Sequence, residues 1–564
     1  MVSLKRSHIL SFAKDIIITF AISFFIFLIF VRSDFFTFGP WPYGHAGDAV
    51  ENVRTAFFSS WGYLPLKDIA INHMPGVPDL LFLGSKFGRF FPREYFQDSV
   101  ILHKHGSYAA SICLQVALSY LSIRFFFNRT ISSLLTLFLV FYTSFLYHFL
   151  PLSESYIPYF MMLWGAIYLN KKEKNKNKNN FFSFRTFNLT SILIIILWIG
   201  LTSPFSVFLL GILTISEIDL KEKNRSIFKN IISVAIPCII SIIFFQYRYG
   251  LFYIYKWNIL ANTSRIDPIT LFENLTEQFD QNFHSNIFDN QIIPILVFFT
   301  SIIVFLYFKK IIISKNNELN LRVQKLSFLK QIFLKKIIFF SIVIFICQIL
   351  DSWRVAGGEY GNSQIYKTEA SWGLLIPLMS YLIISINKLP ELLNSKNYLS
   401  EILDIKFSKN RSIVNPLIFI FISYIVSITL VSEILLEPKY FISNQIVEKP
   451  KLEGIPHLLE KKQFLKGSRK CGVIDTWDPE AWMYFDIQPC LGVFINSVPG
   501  MADNNPFNLD MINLIKSKQL VIRGIPEINK KDVWPVYQRQ FAEYISCEKV
   551  DHAFGMICKS KTTD

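Results

Sequence analysis

Charged residues are scarce in this chain of 564 residues, of which only 18% are Asp, Glu, Lys or Arg. A soluble protein of this size usually carries about 25% charged residues. Hydrophobic residues make up 52% of the chain, with 57 phenylalanines among them. This balance excludes an ordinary soluble protein and favours an integral membrane protein with many spans and little soluble mass.

The familiar nucleotide and hydrolase motifs are also lacking. The sequence contains no P-loop, no GxGxxG, no GxSxG elbow and no HExxH. The chain therefore gives no sign of using ATP or a nucleotide sugar directly.

The formal net charge of +15 does not indicate a nucleic-acid partner. Its lysines cluster in loops between apolar segments, where the positive-inside rule places them on the cytoplasmic side of a membrane. The membrane surface explains the charge, so membrane lipid is a predicted partner and nucleic acid is not.

Apolar runs suggest about eleven spans, judged against the roughly 17–25 residues that a spanning helix needs. The candidates are 13–32, 106–127, 131–150, 156–170, 188–202, 204–217, 228–246, 291–308, 337–350, 369–387 and 413–434. Ser203 and Pro204 leave open whether 188–217 is one span or two. If 188–217 forms two spans, the later lysine runs lie inside, whereas a single span would put them outside. The charge distribution therefore favours two spans, with a cytoplasmic N-terminus and an outside C-terminus.

The predicted fold is thus an α-helical polytopic protein of a cytoplasmic (inner) membrane. Residues 1–434 form the transmembrane domain, including a first extracytoplasmic loop at 33–105. The basic N-terminus leads into an apolar run long enough to act as an uncleaved anchor. Turn signals and short apolar runs over 435–564 predict a small α/β extracytoplasmic (periplasmic) domain.

Cysteine is also sparse, and four of the 7 residues fall in the tail: Cys471, Cys490, Cys547 and Cys558. An even number in an outside domain favours disulfides, of which three pairings are possible. We favour the two pairs that are local in sequence, Cys471 with Cys490 and Cys547 with Cys558. No CxxC spacing supports a zinc site.

The most polar part of the early chain runs from Gly44 to Gly76. Asp48 opens a pattern of apolar residues at helical spacing, which predicts an amphipathic helix lying flat beside the membrane. Gly62 stands where a C-cap glycine is expected. Asp68 and a His-Met-Pro-Gly turn at 73–76 follow.

This organisation resembles the GT-C class of membrane glycosyltransferases, which includes the protein O-mannosyltransferases and the bacterial aminoarabinose transferases. The shared features are an N-terminal span, a long acidic first outside loop, many further spans and an outside C-terminal domain. The residues that carry the resemblance are Gly47-Asp48, Gly62-x-x-Pro65-x-x-Asp68 and His73-x-Pro75-Gly76.

The resemblance implies transfer of a sugar from a polyprenyl-phosphate donor to a hydroxyl of a glycan, lipid or protein acceptor. Some members use a divalent metal ion and many do not, so no cofactor is fixed.

Such a transfer needs a base that deprotonates the acceptor hydroxyl as it attacks the anomeric carbon, and a carboxylate can serve. Asp48 is the candidate base, although Asp before a helical pattern is also a common N-cap. Asp68 is predicted to bind the acceptor or support Asp48; its alternative is a solvated turn residue. His73 is predicted to contact phosphate or sugar, while a lone loop histidine is more often structural.

Cationic groups are needed to hold the departing lipid phosphate. The short outside loop 351–368 offers Arg354 and Lys367, with Tyr366 beside them. Positive charge is disfavoured on this side, which favours a function over ordinary snorkelling at the interface. Arg248 is a weaker candidate of the same kind.

Two other classes compete with this interpretation. A polysaccharide polymerase or ligase usually has an essential arginine-rich loop late in the chain, and arginines are sparse there. A membrane transporter predicts charged or broken helices at mid-membrane and an internal repeat, and no convincing repeat is present.

Overall fold

The structure is a computed structural model of the chain. It describes residues 6–32, 46–60, 62–69, 71, 74–85, 96–147, 153–170, 183–200, 204–216, 224–255, 338–344, 346–347, 373–383, 416–435, 472–475, 521–524, 545–550 and 555–560.

Most of the described residues are α-helical. The helices are α1 (Arg6–Arg32), α2 (Ala46–Ser60), α3 (Gly76–Ser85), α4 (Phe96–Arg124), α5 (Arg129–Tyr147), α6 (Ser153–Leu169), α7 (Phe184–Ile199), α8 (Pro204–Ser216), α9 (Asn224–Arg248), α10 (Leu251–Ile254) and α11 (Pro416–Leu435). Helical turns also cover 338–344 and 373–383.

Three of the described helices contain segments long and apolar enough to cross a membrane: Ile9–Ile29, Gly106–Arg124 and Phe228–Arg248. Shorter apolar helices are Arg129–Val140, Phe184–Ile199, Gly373–Ile383 and Pro416–Val431. The prediction of a helical membrane protein is confirmed at this level. The full set of spans stays a prediction, and candidate 291–308 lies outside the described residues.

Helix α4 is the centre of the bundle. Every residue from Gly106 to Arg124 is buried, and α4 packs against α1, α3, α5, α6 and α11. Small residues such as Ala109, Ala117 and Ser119 recur along it, and small side chains let neighbouring helices approach closely. The Ser119 hydroxyl donates a hydrogen bond to the Gln115 carbonyl oxygen of its own helix at 2.8 Å, so it adds little polarity to the contact between helices.

The apolar stretch 188–217 folds as two helices, as the lysine distribution predicted. The Ser183 N–H donates to Ser233 Oγ at 2.8 Å in the amino-terminal halves of α7 and α9. Trp198 Nε1 donates to the Tyr249 hydroxyl at 2.8 Å where both helices end. The two helices are therefore parallel neighbours, which requires the intervening chain, including α8, to return to the starting side.

A partly buried polar group joins the start of α1, the end of α4 and the start of α5. We define it as the Asp15 cluster, formed by Asp15, Tyr120, Arg124 and Arg129. Asp15 Oδ1 accepts from the Tyr120 hydroxyl at 2.7 Å and from Arg129 Nε at 2.7 Å. Arg124 Nε lies 3.5 Å from the same oxygen. The two guanidinium groups, of Arg124 and Arg129, thus compensate the negative charge of Asp15.

Helix α4 begins at Phe96, before the start of the predicted span 106–127. Its apolar segment runs from Gly106 to Arg124, in agreement with the predicted start of that span, and the placement of 33–105 outside the membrane stays a prediction. Hydropathy detects only the apolar part of a helix. The polar residues of 96–105 belong to the first turns of α4, which continue the helix beyond the span Gly106–Arg124.

The described strands of the tail form one four-stranded mixed sheet. They are β1 (Gly472–Asp475), β2 (Val521–Gly524), β3 (Ile545–Val550) and β4 (Gly555–Ser560), in the order β1-β2-β4-β3. The β1–β2 pair is parallel and the β2–β4 and β3–β4 pairs are antiparallel. A parallel pair requires a long crossover connection, as in α/β folds. The helices and the boundary at 434/435 stay predictions.

The sheet register places the backbones of Cys547 and Cys558 directly opposite each other on β3 and β4. Opposed Cα atoms in an antiparallel pair lie about 4.5–5.5 Å apart. This separation falls in the range of roughly 4.4–6.8 Å that disulfides need. The register therefore agrees with the predicted pairing of these two residues.

We expect a Cys547–Cys558 disulfide in protein produced with its tail in an oxidising compartment. Peptide mapping without reduction should recover one cross-linked peptide that contains both residues. In the Cys547→Ser variant, the peptide that contains Cys558 should be recovered without a cross-link. A bond from Cys547 to Cys471 or Cys490 would contradict the pairing.

Candidate functional site

Helix α2, which carries the candidate base, is buried on all faces over its described side chains. Each residue from Asn52 to Ser60 is 5% exposed or less. The predicted helix is confirmed, but its polar face is buried as well as its apolar face. Its orientation beside the membrane stays a prediction. Polar Thr55 and Ser59 are enclosed as fully as Val53 and Phe57, because α2 packs into the protein, against α3 and α4.

The backbone places Asp48 in the first turn of α2. The helix begins at Ala46, so Asp48 is its third residue and does not occupy the N-cap. A carboxylate in the first turn is favoured by the partial positive charge at a helix amino terminus. The side chain of Asp48 lies outside what the structure describes, and its role as base stays a prediction.

Gly62 ends α2 as predicted. Its φ of 103° lies in the left-handed region, which glycine adopts without a steric penalty. The Gly62 N–H donates to Ser59 O at 3.1 Å and the Tyr63 N–H donates to Phe58 O at 3.2 Å. This is the paired hydrogen-bond pattern of a Schellman motif, and the Phe58 and Tyr63 rings supply the apolar contact that accompanies it.

Asp68 closes the turn that follows. Its Oδ2 accepts from the Leu64 N–H at 2.7 Å, while its own N–H donates to Leu64 O at 2.8 Å. Between them Leu66 is fully buried with a φ of 66°, a conformation that costs a non-glycine residue about 1–2 kcal/mol. Asp68 is thus a structural residue of the turn, and its predicted contact with substrate stays a prediction.

The Pro75-Gly76 pair starts helix α3 against the end of α7. A Cβ atom on Gly76 would lie 2.4 Å from the Trp198 carbonyl oxygen. Glycine is therefore required here by the close approach of two backbones. The sequence had indicated only a turn, because the partner carbonyl is more than a hundred residues further along the chain.

An unpredicted polar group, the Asp79 cluster, joins α3 to the ends of α7 and α9. It consists of Asp79, Trp198, Arg248 and Tyr249. Arg248 Nη2 donates to Asp79 Oδ1 at 2.8 Å, and Arg248 Nε donates to Oδ2 at 3.3 Å. The Tyr249 hydroxyl donates to Asp79 Oδ2 and accepts from Trp198 Nε1.

Burial strengthens this cluster. The side chain of Asp79 is 11% exposed and that of Arg248 is 23% exposed. Burial raises the pKa of the Tyr249 phenol well above its ordinary value, and the negative charge of Asp79 raises it further. The phenol therefore stays protonated and remains a donor to the carboxylate. Because Asp79 compensates Arg248, that cation is poorly placed to hold a lipid phosphate.

Two local features of the sequence point to this cluster. Asp79 is an acidic residue in the otherwise apolar helix α3, and Arg248 ends the long apolar run of α9. No local sequence pattern indicates that Asp79 and Arg248, which are 169 positions apart, form an ion pair. The described geometry is that of a clamp, which fastens α3 to the ends of α7 and α9.

The other predicted site residues, His73, Arg354, Tyr366 and Lys367, lie outside the described residues. The structure therefore brings none of them together with Asp48 or Asp68. Within the described part of the chain, no group of three or more His, Cys, Asp or Glu side chains could hold a metal ion.

Comparison of the chain with models of protein families, with curated proteins and with solved structures returned no match.

Replacement of Gly76 by alanine should destabilise the protein by about 1–3 kcal/mol, the usual cost of overpacking. The new methyl group would force α3 away from the Trp198 carbonyl. Unfolding of the purified protein in detergent, followed by circular dichroism, measures the loss.

The matched control is Gly211→Ala in α8, where an added Cβ meets nothing within 4 Å. Alanine should be neutral there or stabilise the helix by up to about 1 kcal/mol. Equal losses at the two positions would contradict the packing argument.

The Asp79–Arg248 pair should show energetic coupling in a double-mutant cycle. Asp79→Asn and Arg248→Gln each leave a buried partner uncompensated, so the double variant should lose less stability than the sum of the single variants. We expect a coupling of about 1–3 kcal/mol, measured by equilibrium unfolding in detergent.

Asp15→Asn combined with Arg248→Gln is the control, since these residues belong to different clusters. Their effects should add to within about 0.5 kcal/mol. Additive effects for Asp79 and Arg248 as well would show that the clamp is energetically unimportant.

Proposed function

We propose that this protein transfers a sugar from a polyprenyl-phosphate donor to an acceptor hydroxyl at the extracytoplasmic face of a membrane, with Asp48 as general base. One agreement supports this proposal most strongly. Charge distribution along the sequence predicts that α7 and α9 both end outside. The first loop, which the same topology places outside, is attached by Asp79 to those two helix ends.

Rigid placement of the loop supports a catalytic role for it. Residues 46–85 include a buried helix, a stop at Gly62, a turn closed by Asp68 and a second helix clamped to the bundle. A base must be held within hydrogen-bond reach of the acceptor, and fixed geometry removes much of the entropic barrier to reaction. A mobile surface loop would not meet this requirement.

The proposed chemistry is a displacement at the anomeric carbon. Asp48 accepts the proton of the acceptor hydroxyl as its oxygen attacks, and the lipid phosphate departs with the bonding electrons. Arg354 and Lys367 neutralise the departing phosphate, with Tyr366 and His73 as further donors to phosphate or sugar. Asp68 fixes the turn after α2 and binds the acceptor or supports Asp48. The acceptor is a glycan, a lipid or a protein.

In the proposed topology, the two polar clusters lie on opposite sides of the membrane. With the N-terminus inside, the Asp15 cluster lies on the cytoplasmic side and the Asp79 cluster on the extracytoplasmic side. The parallel arrangement of α7 and α9 supports this topology, because both then run outward from lysine-containing segments. A cytoplasmic (inner) membrane is the proposed location, with the tail 435–564 outside.

Replacement of Asp48 by asparagine should reduce sugar transfer by about 10²–10⁴-fold, the usual contribution of a general base. The variant keeps the size of the side chain and should fold normally. Transfer of label from a polyprenyl-phosphate sugar in reconstituted vesicles measures the effect, and the melting temperature checks folding.

Glu51→Gln is the matched control, since it makes the same charge change one turn further along α2. It should retain most of the activity. Unchanged transfer by Asp48→Asn, or loss of transfer only in Glu51→Gln, would remove Asp48 from the role of base.

A further inference from the structure

The carboxyl end of α9 exposes a group of aromatic side chains that the proposed reaction does not use. Tyr247 is 85% exposed, Phe252 67%, Tyr255 52% and Tyr253 37%. The apolar helix that precedes them is itself largely exposed, with few buried residues between Phe228 and Arg248. Aromatic rings at the end of a lipid-facing apolar helix are typical of the level of lipid headgroups.

Lys67, from the turn after α2, lies against this helix end. Its Nζ donates to the Tyr247 carbonyl oxygen at 2.9 Å. A Cβ atom on Gly250 would lie 3.4 Å from Lys67 Cε and 3.0 Å from the Tyr253 ring, so the lysine stem and that ring flank the same glycine. The ammonium is thus held in place at the carboxyl end of α9, where the helix dipole favours a cation.

The Lys67 ammonium has three hydrogens to donate, and within the described part of the chain one of them goes to the Tyr247 carbonyl oxygen. Among the described residues, no carboxylate forms an ion pair with Lys67, whereas Arg248 beside it is paired with Asp79. The described part of this helix end therefore presents a cation held by one hydrogen bond, next to exposed aromatic rings.

We propose that Lys67 and the exposed rings of Tyr247, Phe252 and Tyr253 form a binding site for an anionic phospholipid. The ammonium binds the phosphate, and the rings lie along the upper acyl chains and glycerol. A single half-buried lysine gives weak binding, which suits an abundant bilayer lipid better than a scarce prenyl carrier. The site goes beyond the proposed sugar transfer and does not depend on it.

The test is phosphatidylglycerol binding to the purified full-length protein, measured by mass spectrometry of intact protein–lipid complexes. Lys67→Gln should weaken phosphatidylglycerol binding about fivefold, equivalent to the ~1 kcal/mol of one basic residue near a membrane surface. Phosphatidylcholine binding should not change, and Lys67→Arg should retain the binding of phosphatidylglycerol.

Lys229→Gln removes the same charge from the opposite end of α9 and is the matched control. It should leave phosphatidylglycerol binding within twofold of the wild type, about 0.4 kcal/mol by the usual conversion. Equal losses of phosphatidylglycerol binding in the two variants would show that the effect comes from net charge alone, and would contradict a lipid site at Lys67.

A parallel titration with a polyprenyl phosphate separates the two lipid sources. If Lys67→Gln weakens the binding of the polyprenyl phosphate only, the assignment to a phospholipid is wrong. If it weakens the binding of neither lipid, no lipid site exists at Lys67. Both outcomes are independent of Asp48, so the failure of this proposal is distinguishable from the failure of the proposed function.

Discussion

The ion pair between Asp79 and Arg248 is the interaction on which the arrangement of the first loop depends. It joins α3, which follows the loop turn, to the end of a membrane helix 169 residues later. Removal of one partner from a buried pair costs about 3–5 kcal/mol, and the partial exposure of this pair puts it toward the lower end. That energy is a large part of the roughly 5–15 kcal/mol by which proteins are usually stable.

The neighbouring contacts reinforce the same attachment. Trp198 and Tyr249 extend the hydrogen-bonded network to α7, and Gly76 lets the two backbones touch. Tyr424 of α11 donates to the Leu80 carbonyl, which adds a further helix to the attachment of α3. The candidate site is thus held on a scaffold rather than on a free loop, which is what catalysis by positioning requires.

Much of the helical plan could be predicted from the sequence, because apolar runs and breaking residues are local signals. The division at Ser203-Pro204 and the stop at Gly62 are both confirmed, and each depends on a few neighbouring residues. The start of α4 at Phe96 was missed because a polar helix extension carries no hydropathy signal. The burial of α2 was missed because tertiary contacts enclose its polar face as well as its apolar one.

The candidate site could be predicted only in part. Asp48 and Asp68 stand out as acidic residues in a polar loop, and the local turn chemistry of Asp68 is visible in the structure. The partners of Asp79 and the need for glycine at position 76 arise from contacts between distant segments, which a single sequence does not encode in any short pattern. Sequence reasoning therefore found residues by type and missed those whose role depends on a distant neighbour.

The most direct measurement is an experimental structure of the protein with a non-transferable polyprenyl-phosphate sugar bound. The proposed function predicts that the sugar lies on the Asp79 side of the bundle. The Asp48 carboxylate should then be within about 2.6–3.2 Å, or one bridging water, of the acceptor hydroxyl position beside the anomeric carbon. A sugar bound at the Asp15 side, or an Asp48 carboxylate sealed away from it, would contradict the proposed function.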